Sequence, residues 1–220
     1  MSVARKLRLG VIASGSGSNL QAIIDRCADG SIDAEIVLVL SNVPGAGALN
    51  RAEKAGIATA LIDHRTFAER ADFDRAVVAA LQAAGVELVV LAGFMRLITA
   101  PFIAAFPERI INIHPALLPA FPGLHVQRKA LEAGARFSGC TVHFVDGGVD
   151  TGPIIIQAVV PILDDDDEAS LSARILVQEH RIYPRAIQLI AEGRLRMEGR
   201  RVRIVNPPVI EGWMVNPPLL

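Results

Sequence analysis

The chain has 220 residues, of which 51% are hydrophobic and 20% charged. That balance excludes a disordered chain and a coiled coil. Lys plus Arg number 22 and Asp plus Glu 23, a net charge of −1, which argues against a general nucleic-acid binder, a class that carries a basic excess.

Residues 7–13 read as a buried strand, and Leu20, Ile23, Ile24 and Cys27 then recur at helical spacing. Residues 36–40 form a second apolar run, followed by the turn-prone segment 41–45. Leu49 and Ala52 suggest a short helix ending near Gly56, and residues 57–62 a third strand. Thr66-Phe67-Ala68-Glu69 has the form of a capping box, in which Thr and Glu satisfy each other's free amides. Phe73, Val77, Leu81 and Ala84 continue that helix, and Gly85 closes it. Residues 86–92 and 109–113 are two more strands. Repeated strand–helix–strand units imply an α/β fold, Rossmann-like, with a mostly parallel sheet and helices on both faces.

The pattern changes after Gly139. Residues 140–145 and 154–160 have no helix between them and are expected to pair antiparallel in the C-terminal part. Leu171, Ile175, Gln178 and Ile182 mark a late helix, and the acidic run 164–168 ahead of it suits a solvated helix N-terminus. Residues 194–197 and 201–205, split by Glu198-Gly199-Arg200, look like a terminal hairpin. Val-Asn-Pro-Pro occurs at 205–208 and again at 215–218, and proline pairs favour extended chain. The whole reads as a single domain, 1–220, with a Pro-rich tail from about 201.

Mean hydropathy is +0.39, yet Gly, Pro or charge breaks every apolar run short of the ~20 residues a membrane span needs. Residues 1–8 are basic but lack the apolar stretch and small-residue cleavage site of a signal peptide. Cys27 and Cys140 are too few for a disulfide framework and have no metal spacing. A cytoplasmic protein without metal, membrane or nucleic-acid partner is expected.

Ser14-Gly15-Ser16-Gly17-Ser18-Asn19-Leu20 lies between the first strand and the first helix. Glycines let the backbone turn sharply toward a ligand, and a helix N-terminus supplies free N–H donors and partial positive charge. Ser18 and Asn19 are expected to add side-chain donors, completing a phosphate cradle. A dinucleotide fingerprint departs in two places: its third glycine is Leu20, and the second strand ends in Ser41-Asn42 where an acidic residue would hold ribose. No Gly-Lys-Ser/Thr follows, which excludes a Walker loop.

Ile110-Ile111-Asn112-Ile113-His114-Pro115 ends an apolar strand with two polar side chains. Residues two apart in a strand share a face, so Asn112 and His114 point together from the carboxyl end, where open parallel sheets bind ligands. An amide donor and an imidazole aimed at one point suit the polarisation of a carbonyl and the stabilisation of an oxyanion. Asp146 and Asp150, in the Gly-rich stretch 146–153, are both candidates for the carboxylate that would favour the cationic ring. His64 and His180 read as surface, His143 as a strand residue, and His125 as a helix-cap candidate. No zinc spacing and no Gly-x-Ser-x-Gly elbow is present.

Four segments, Ser14 to Ile23, Leu91-Ala92-Gly93-Phe94-Met95-Arg96, Asn112 to Pro119 and Gln178-Glu179-His180, closely resemble the phosphoribosylglycinamide formyltransferase family. The resemblance runs from about Leu7 to about Met197. It implies a formyltransferase fold and transfer of formyl from 10-formyltetrahydrofolate to the glycine amine of glycinamide ribonucleotide, in purine biosynthesis. By the same resemblance Gly17, Ser18 and Asn19 hold the ribonucleotide phosphate, and Glu179 lies near that substrate. Asn112 and His114 are implied as the catalytic pair, with Asp150 as the catalytic aspartate. Arg70, Met95, Arg96, Leu97, Ile98 and Asn112 are implied to meet the folate. Ala116 stands where the family often has Ser. The resemblance leaves a homodimer open.

Three alternatives share parts of this pattern. A formyltransferase acting on aminoacyl-tRNA is expected to need an added C-terminal domain and basic surface. A formyltetrahydrofolate hydrolase is expected to carry an N-terminal regulatory domain ahead of the loop. A non-catalytic nucleotide-binding protein would use the glycine loop but leaves the Asn112–His114 pair without a purpose.

Overall fold

Alternation along the central strands sends successive side chains to different helices. The computed structural model describes residues 5–207. In β1 (Leu7–Ile12) and β4 (Leu88–Leu91), Leu9, Val11, Leu88 and Val90 join one buried cluster, while Ile12, Val89 and Leu91 join another. These are the two faces of one sheet, since a strand has a side-chain period of two.

The first face is covered by α1 (Ser18–Ala28), α2 (Gly47–Lys54), α5 (Val126–Glu132) and α6 (Glu168–Ala191). Leu20, Ile23 and Ile24 of α1 pack there with Leu171, Ile175 and Ile187 of α6. The second face is covered by α3 (Arg70–Ala83) and α4 (Ala100–Ala105), through Phe73, Val77, Leu81 and Phe102. Truncating a fully buried leucine such as Leu20 or Leu81 costs about 2–5 kcal/mol, because the neighbours do not close the hole.

The remaining strands are β2 (Ala34–Ser41), β3 (Thr59–Leu61), β5 (Ile110–His114), β6 (Phe137–Phe144), β7 (Ile154–Pro161), β8 (Leu195–Glu198) and β9 (Arg201–Ile204). They form one nine-stranded sheet in the order β3-β2-β1-β4-β5-β6-β7-β9-β8. The β3-to-β5 half is wholly parallel. β6 then pairs antiparallel with both β5 and β7, as the helix-free spacing after Gly139 implies. The terminal hairpin forms as expected, and its second strand joins β7 at Ile154 and Arg201. Pro208 and the second Val-Asn-Pro-Pro lie outside the described residues.

The capping box at Thr66 does not form. Asp63 takes the role instead: its side chain accepts the Arg65 amide at 3.0 Å and starts a 3₁₀ turn over His64–Thr66. The Thr66 hydroxyl donates back to the Asp63 carbonyl at 2.8 Å, and α3 starts at Arg70 with no side-chain cap. Hydrogen bonds from Arg65 hold the Asp63 carboxyl down at about 2. The capping box that does form is at α6, where Asp167 accepts the Ser170 amide and the Ser170 hydroxyl accepts the Asp167 amide. The acidic run ahead of α6 thus serves its N-terminus. His64 is half-buried, edge-on to Phe73, and bonded to Asn42, so it is not the plain surface residue its sequence context implies. His125 occupies the N-cap position of α5 but makes no side-chain cap bond.

Candidate active site

Strand order reverses its progress at β1 and β4, and ligands of open α/β sheets settle in the crevice at the carboxyl ends of such strands. The loop after β1 and the segment after β4 meet there. The Ser14 amide donates to the Gly93 carbonyl at 3.1 Å, and the Ser14 hydroxyl accepts the Met95 amide at 3.2 Å. That hydroxyl also donates to Asn42 Oδ1 at 2.7 Å, tying the end of β2 into the same wall.

Gly17 is the N-cap of α1, at φ +74°. A side chain at Gly17 would strike the backbone of Ala48 at the start of α2, so both the left-handed turn and the close approach require glycine. No side chain caps α1, and its first-turn N–H groups remain available to an anion. Gly17 and Asn19 are buried, while Ser18 is half-exposed beside them.

Asn19 departs from the sequence expectation. Its amide Nδ2 donates to Glu179 Oε2 at 2.7 Å in the interior, so one of its two side-chain N–H groups is spent on α6. Glu179 is 7% exposed, and burial raises its carboxyl above the ordinary range, opposed by the Asn19 bond. One turn further along α6, the fully buried Tyr183 hydroxyl donates to the Leu91 carbonyl at 3.0 Å and lies 3.2 Å from the Ile111 carbonyl. That contact seats α6 against the last residue of β4 and the second residue of β5 and thereby places Glu179.

At the carboxyl end of β5, Asn112 is half-exposed and His114 is 5% exposed. His114 Nδ1 lies 3.4 Å from Asp150 Oδ2, and Nε2 lies 2.9 Å from the Phe121 carbonyl. The ring therefore faces a carboxylate oxygen at one nitrogen and a backbone carbonyl at the other. The Gly123 amide donates to the same Asp150 oxygen at 2.9 Å. Asp146, the other candidate, instead accepts from the Gly148 amide at 3.0 Å and the Thr151 hydroxyl at 2.6 Å, and so shapes the loop.

A second imidazole belongs to this cluster and was not singled out by sequence reasoning. His143 on β6 lies opposite Asn112 in the antiparallel register. Its Nδ1 donates to the Phe144 carbonyl at 2.8 Å, which leaves Nε2 to accept Asn112 Nδ2–H at 3.2 Å. Burial lowers the His143 pKa below its ordinary value and thus favours the neutral ring that this pattern needs, although the Phe144 carbonyl and Asp150 pull the other way. Asp150 Oδ1 is 3.8 Å from His143 Nε2. Asn112, His143, Asp150 and His114 thus lie side by side, with the His143–Asp150 approach a proximity and not a hydrogen bond. A usable sequence signal would have been strand register: His143 faces Asn112 only once β5 and β6 are paired.

Residues 7–187 match the family model described as formyl transferase. The chain is 46% identical over 187 residues to phosphoribosylglycinamide formyltransferase of Escherichia coli, covering 85% of this chain and 88% of that protein. The chain belongs to the phosphoribosylglycinamide formyltransferase family. It is also 54% identical over 191 residues to the trifunctional purine biosynthetic protein adenosine-3 of Drosophila melanogaster, 86% of this chain but only 14% of that much longer protein. Among solved structures, glycinamide ribonucleotide transformylase 1 of Symbiobacterium toebii superposes with a TM-score of 0.91 at 54% identity, covering 93% of this chain and 96% of that one. The formyltransferase fold expected from the sequence is therefore the fold found.

Apart from Asn112, the residues that the resemblance implies for folate lie after β4 and at the start of α3. Met95 and Leu97 are 71% and 52% exposed, and Ile98 packs inward on the second cluster. The Arg96 guanidinium lies over the Phe73 ring at 5.3 Å. Arg70 opens α3 and is exposed. Beside the glycine loop, a cleft of about 580 Å³ is lined by Ser18, Gln21, Arg26, Arg51, His180 and Arg181 among others. Burial, and then the charge of Arg51, lower the His180 pKa, and His180 lines that cleft as a half-buried group. Asn112, His114 and Asp150 do not line it. Among the described residues, no group of three or more His, Cys, Asp or Glu is placed to hold a metal ion, and no helix is long and apolar enough to cross a membrane.

Proposed function

We propose that this chain transfers a formyl group from 10-formyltetrahydrofolate to the glycine amine of glycinamide ribonucleotide, acting in the cytoplasm in purine biosynthesis. One observation carries the reading: Asn112, His114 and Asp150 come together at the carboxyl end of β5, with His114 Nδ1 3.4 Å from Asp150 Oδ2. Family membership supplies the substrates, and the cluster suits the chemistry they require.

The free amine attacks the formyl carbon. The carbonyl electron pair moves to oxygen, giving a tetrahedral intermediate. Asn112 supplies an N–H donor to the developing oxyanion, and His114 adds a second once its Nε2 exchanges the Phe121 carbonyl for the substrate oxygen. Asp150 places negative charge behind the ring, where it offsets the positive charge on the imidazole. The attacking nitrogen loses a proton, the folate nitrogen gains one, and the bond between that nitrogen and the formyl carbon breaks. No covalent enzyme intermediate is needed.

In this reading the phosphate of the ribonucleotide sits on the amides of Gly17, Ser18 and Asn19 at the start of α1, with Arg51 and Arg181 nearby in the same cleft. Glu179 lies beneath that substrate. The folate lies along Met95, Arg96, Leu97 and Ile98, with Arg70 at its charged end and Asn112 at the reacting end. The purified chain is expected to form formylglycinamide ribonucleotide and tetrahydrofolate from the two substrates. Absence of any transfer, or hydrolysis of the folate without transfer to the amine, overturns the proposal.

A further inference from the structure

The terminal hairpin reaches the site through one side chain. β8 and β9 lie beyond residues 7–187, the part matched by the family model. Their connecting turn carries Gly199 and Arg200, and β9 joins the sheet at Ile154, the first residue of β7. Arg200 thereby comes alongside the loop between β6 and β7, and its Nη2 donates to the Thr151 carbonyl at 2.7 Å. Thr151 immediately follows Asp150.

That loop has reason to need a brace. Asp150 has φ +52°, a left-handed conformation that costs energy in a residue other than glycine. Gly152 is pressed against the Phe144 carbonyl so closely that a side chain there would overlap it. The Phe144 amide donates to the Pro153 carbonyl at 2.9 Å and closes the neck of the loop. Inside the neck, the loop's own bonds are few: Asp146 to Gly148 and Thr151, and Asp150 to the Gly123 amide. The Arg200 contact is a charge-assisted bond from an element 49 residues away, made to the Thr151–Gly152 peptide, one peptide beyond those that flank Asp150.

We infer that Arg200 is a positioning residue that braces the Asp150 loop, making the terminal hairpin part of the active-site scaffold. The inference rests on the role given to Asp150 above. It assigns Arg200 no contact with substrate and no part in proton transfer. Its guanidinium holds the Thr151 peptide so that the carboxylate one residue earlier stays within reach of His114 and His143.

The test compares wild type, Arg200→Ala and Arg200→Lys as full-length proteins. Two readouts are needed. Amide hydrogen exchange of residues 144–153 reports the brace whatever the chain catalyses. In Arg200→Ala those amides are expected to exchange about fivefold to tenfold faster, while α1 and β1 keep their protection. In the formyl-transfer assay Arg200→Ala is expected to lower kcat about threefold to tenfold and leave KM for the ribonucleotide within about twofold, as loss of an interaction felt at the reacting centre requires. Arg200→Lys, which keeps one donor, is expected to recover part of both effects. Unchanged exchange in Arg200→Ala overturns the brace. Faster exchange with unchanged kcat overturns the positioning role while leaving the reaction intact. A wild-type chain without transferase activity, but with the exchange difference present, counts against the proposed function and not against the brace.

Discussion

Asn112 and His143 face each other across the β5–β6 ladder, with Asn112 Nδ2 3.2 Å from His143 Nε2. The Phe144 carbonyl holds the His143 proton on Nδ1, so the histidine acts as an acceptor that fixes which way the asparagine amide points. The other N–H of Asn112 is left for a ligand. Replacing His143 with Ala is therefore expected to lower kcat roughly tenfold, a fraction of the 100- to 1,000-fold typical of removing an oxyanion donor outright. Steady-state kinetics at saturating folate checks this; an unchanged kcat in the folded variant removes His143 from the site.

His114→Ala and Asp150→Ala are each expected to lower kcat by at least about 100-fold, the scale of a lost oxyanion donor or a misplaced acid–base group. Binding of the two substrates is expected to suffer less than turnover. Either variant, purified and folded yet turning over near the wild-type rate, contradicts the assignment.

Ligand-induced stabilisation separates the proposed substrates from a dinucleotide. A ligand at 100 times its Kd adds about 2.7 kcal/mol of stability to the state that binds it. Glycinamide ribonucleotide and a folate analogue are each expected to raise Tm, and NAD to leave it unchanged. A clear shift with NAD, and none with the ribonucleotide, reverses the reading of the Gly15–Ser16–Gly17 loop.

The buried titratable groups predict opposite pH behaviours. His143 resists protonation in the folded state, while in the unfolded chain it takes a proton near its ordinary 6.5. Its contribution is present above that value and is lost as pH falls toward the depressed native pKa. Glu179 is the reverse: its native carboxyl keeps a proton above the ordinary 4.5, so its contribution is present below that value and fades as pH rises through the raised native pKa. Urea titrations at pH 7.5 and 5.5 are expected to show a smaller stability loss on acidification in His143→Gln than in wild type. Equal losses would mean that the native ring titrates as it does in the unfolded chain.

Asp167 offers a local test of the longest helix. Its carboxylate accepts the Ser170 amide at 2.7 Å, and the Ser170 hydroxyl accepts the Asp167 amide at 3.0 Å. Asp167→Ala is expected to lower stability by removing the acceptor for the Ser170 amide. Thermal or chemical unfolding measures it, and a variant as stable as wild type shows that the cap contributes nothing to α6.

Local features were legible because they are written at short range. The apolar periods of β1, α1 and α3, the glycine turn at Gly17, and the shared face of Asn112 and His114 all follow from residues a few positions apart. The same logic misplaced the cap of α3, because the Thr66 hydroxyl is spent inside the turn that Asp63 starts and does not reach the helix. Sequence also left α4 and α5 unread. Each has seven residues or fewer, too short for a helical period to emerge.

By itself, the sequence determined an α/β chain with an anion-ready loop and an amide–imidazole pair at one strand end, and its motifs determined the family it resembles. Tertiary structure alone decided the partners. It turned the Asn19 side chain onto Glu179, set His143 opposite Asn112, and brought Asp150 to His114 while Asp146 folded back on its own loop. The first three of those choices depend on strand register and loop closure between residues 31 to 160 positions apart. Such pairings are fixed by the packing of the whole sheet and leave no periodic trace along the chain.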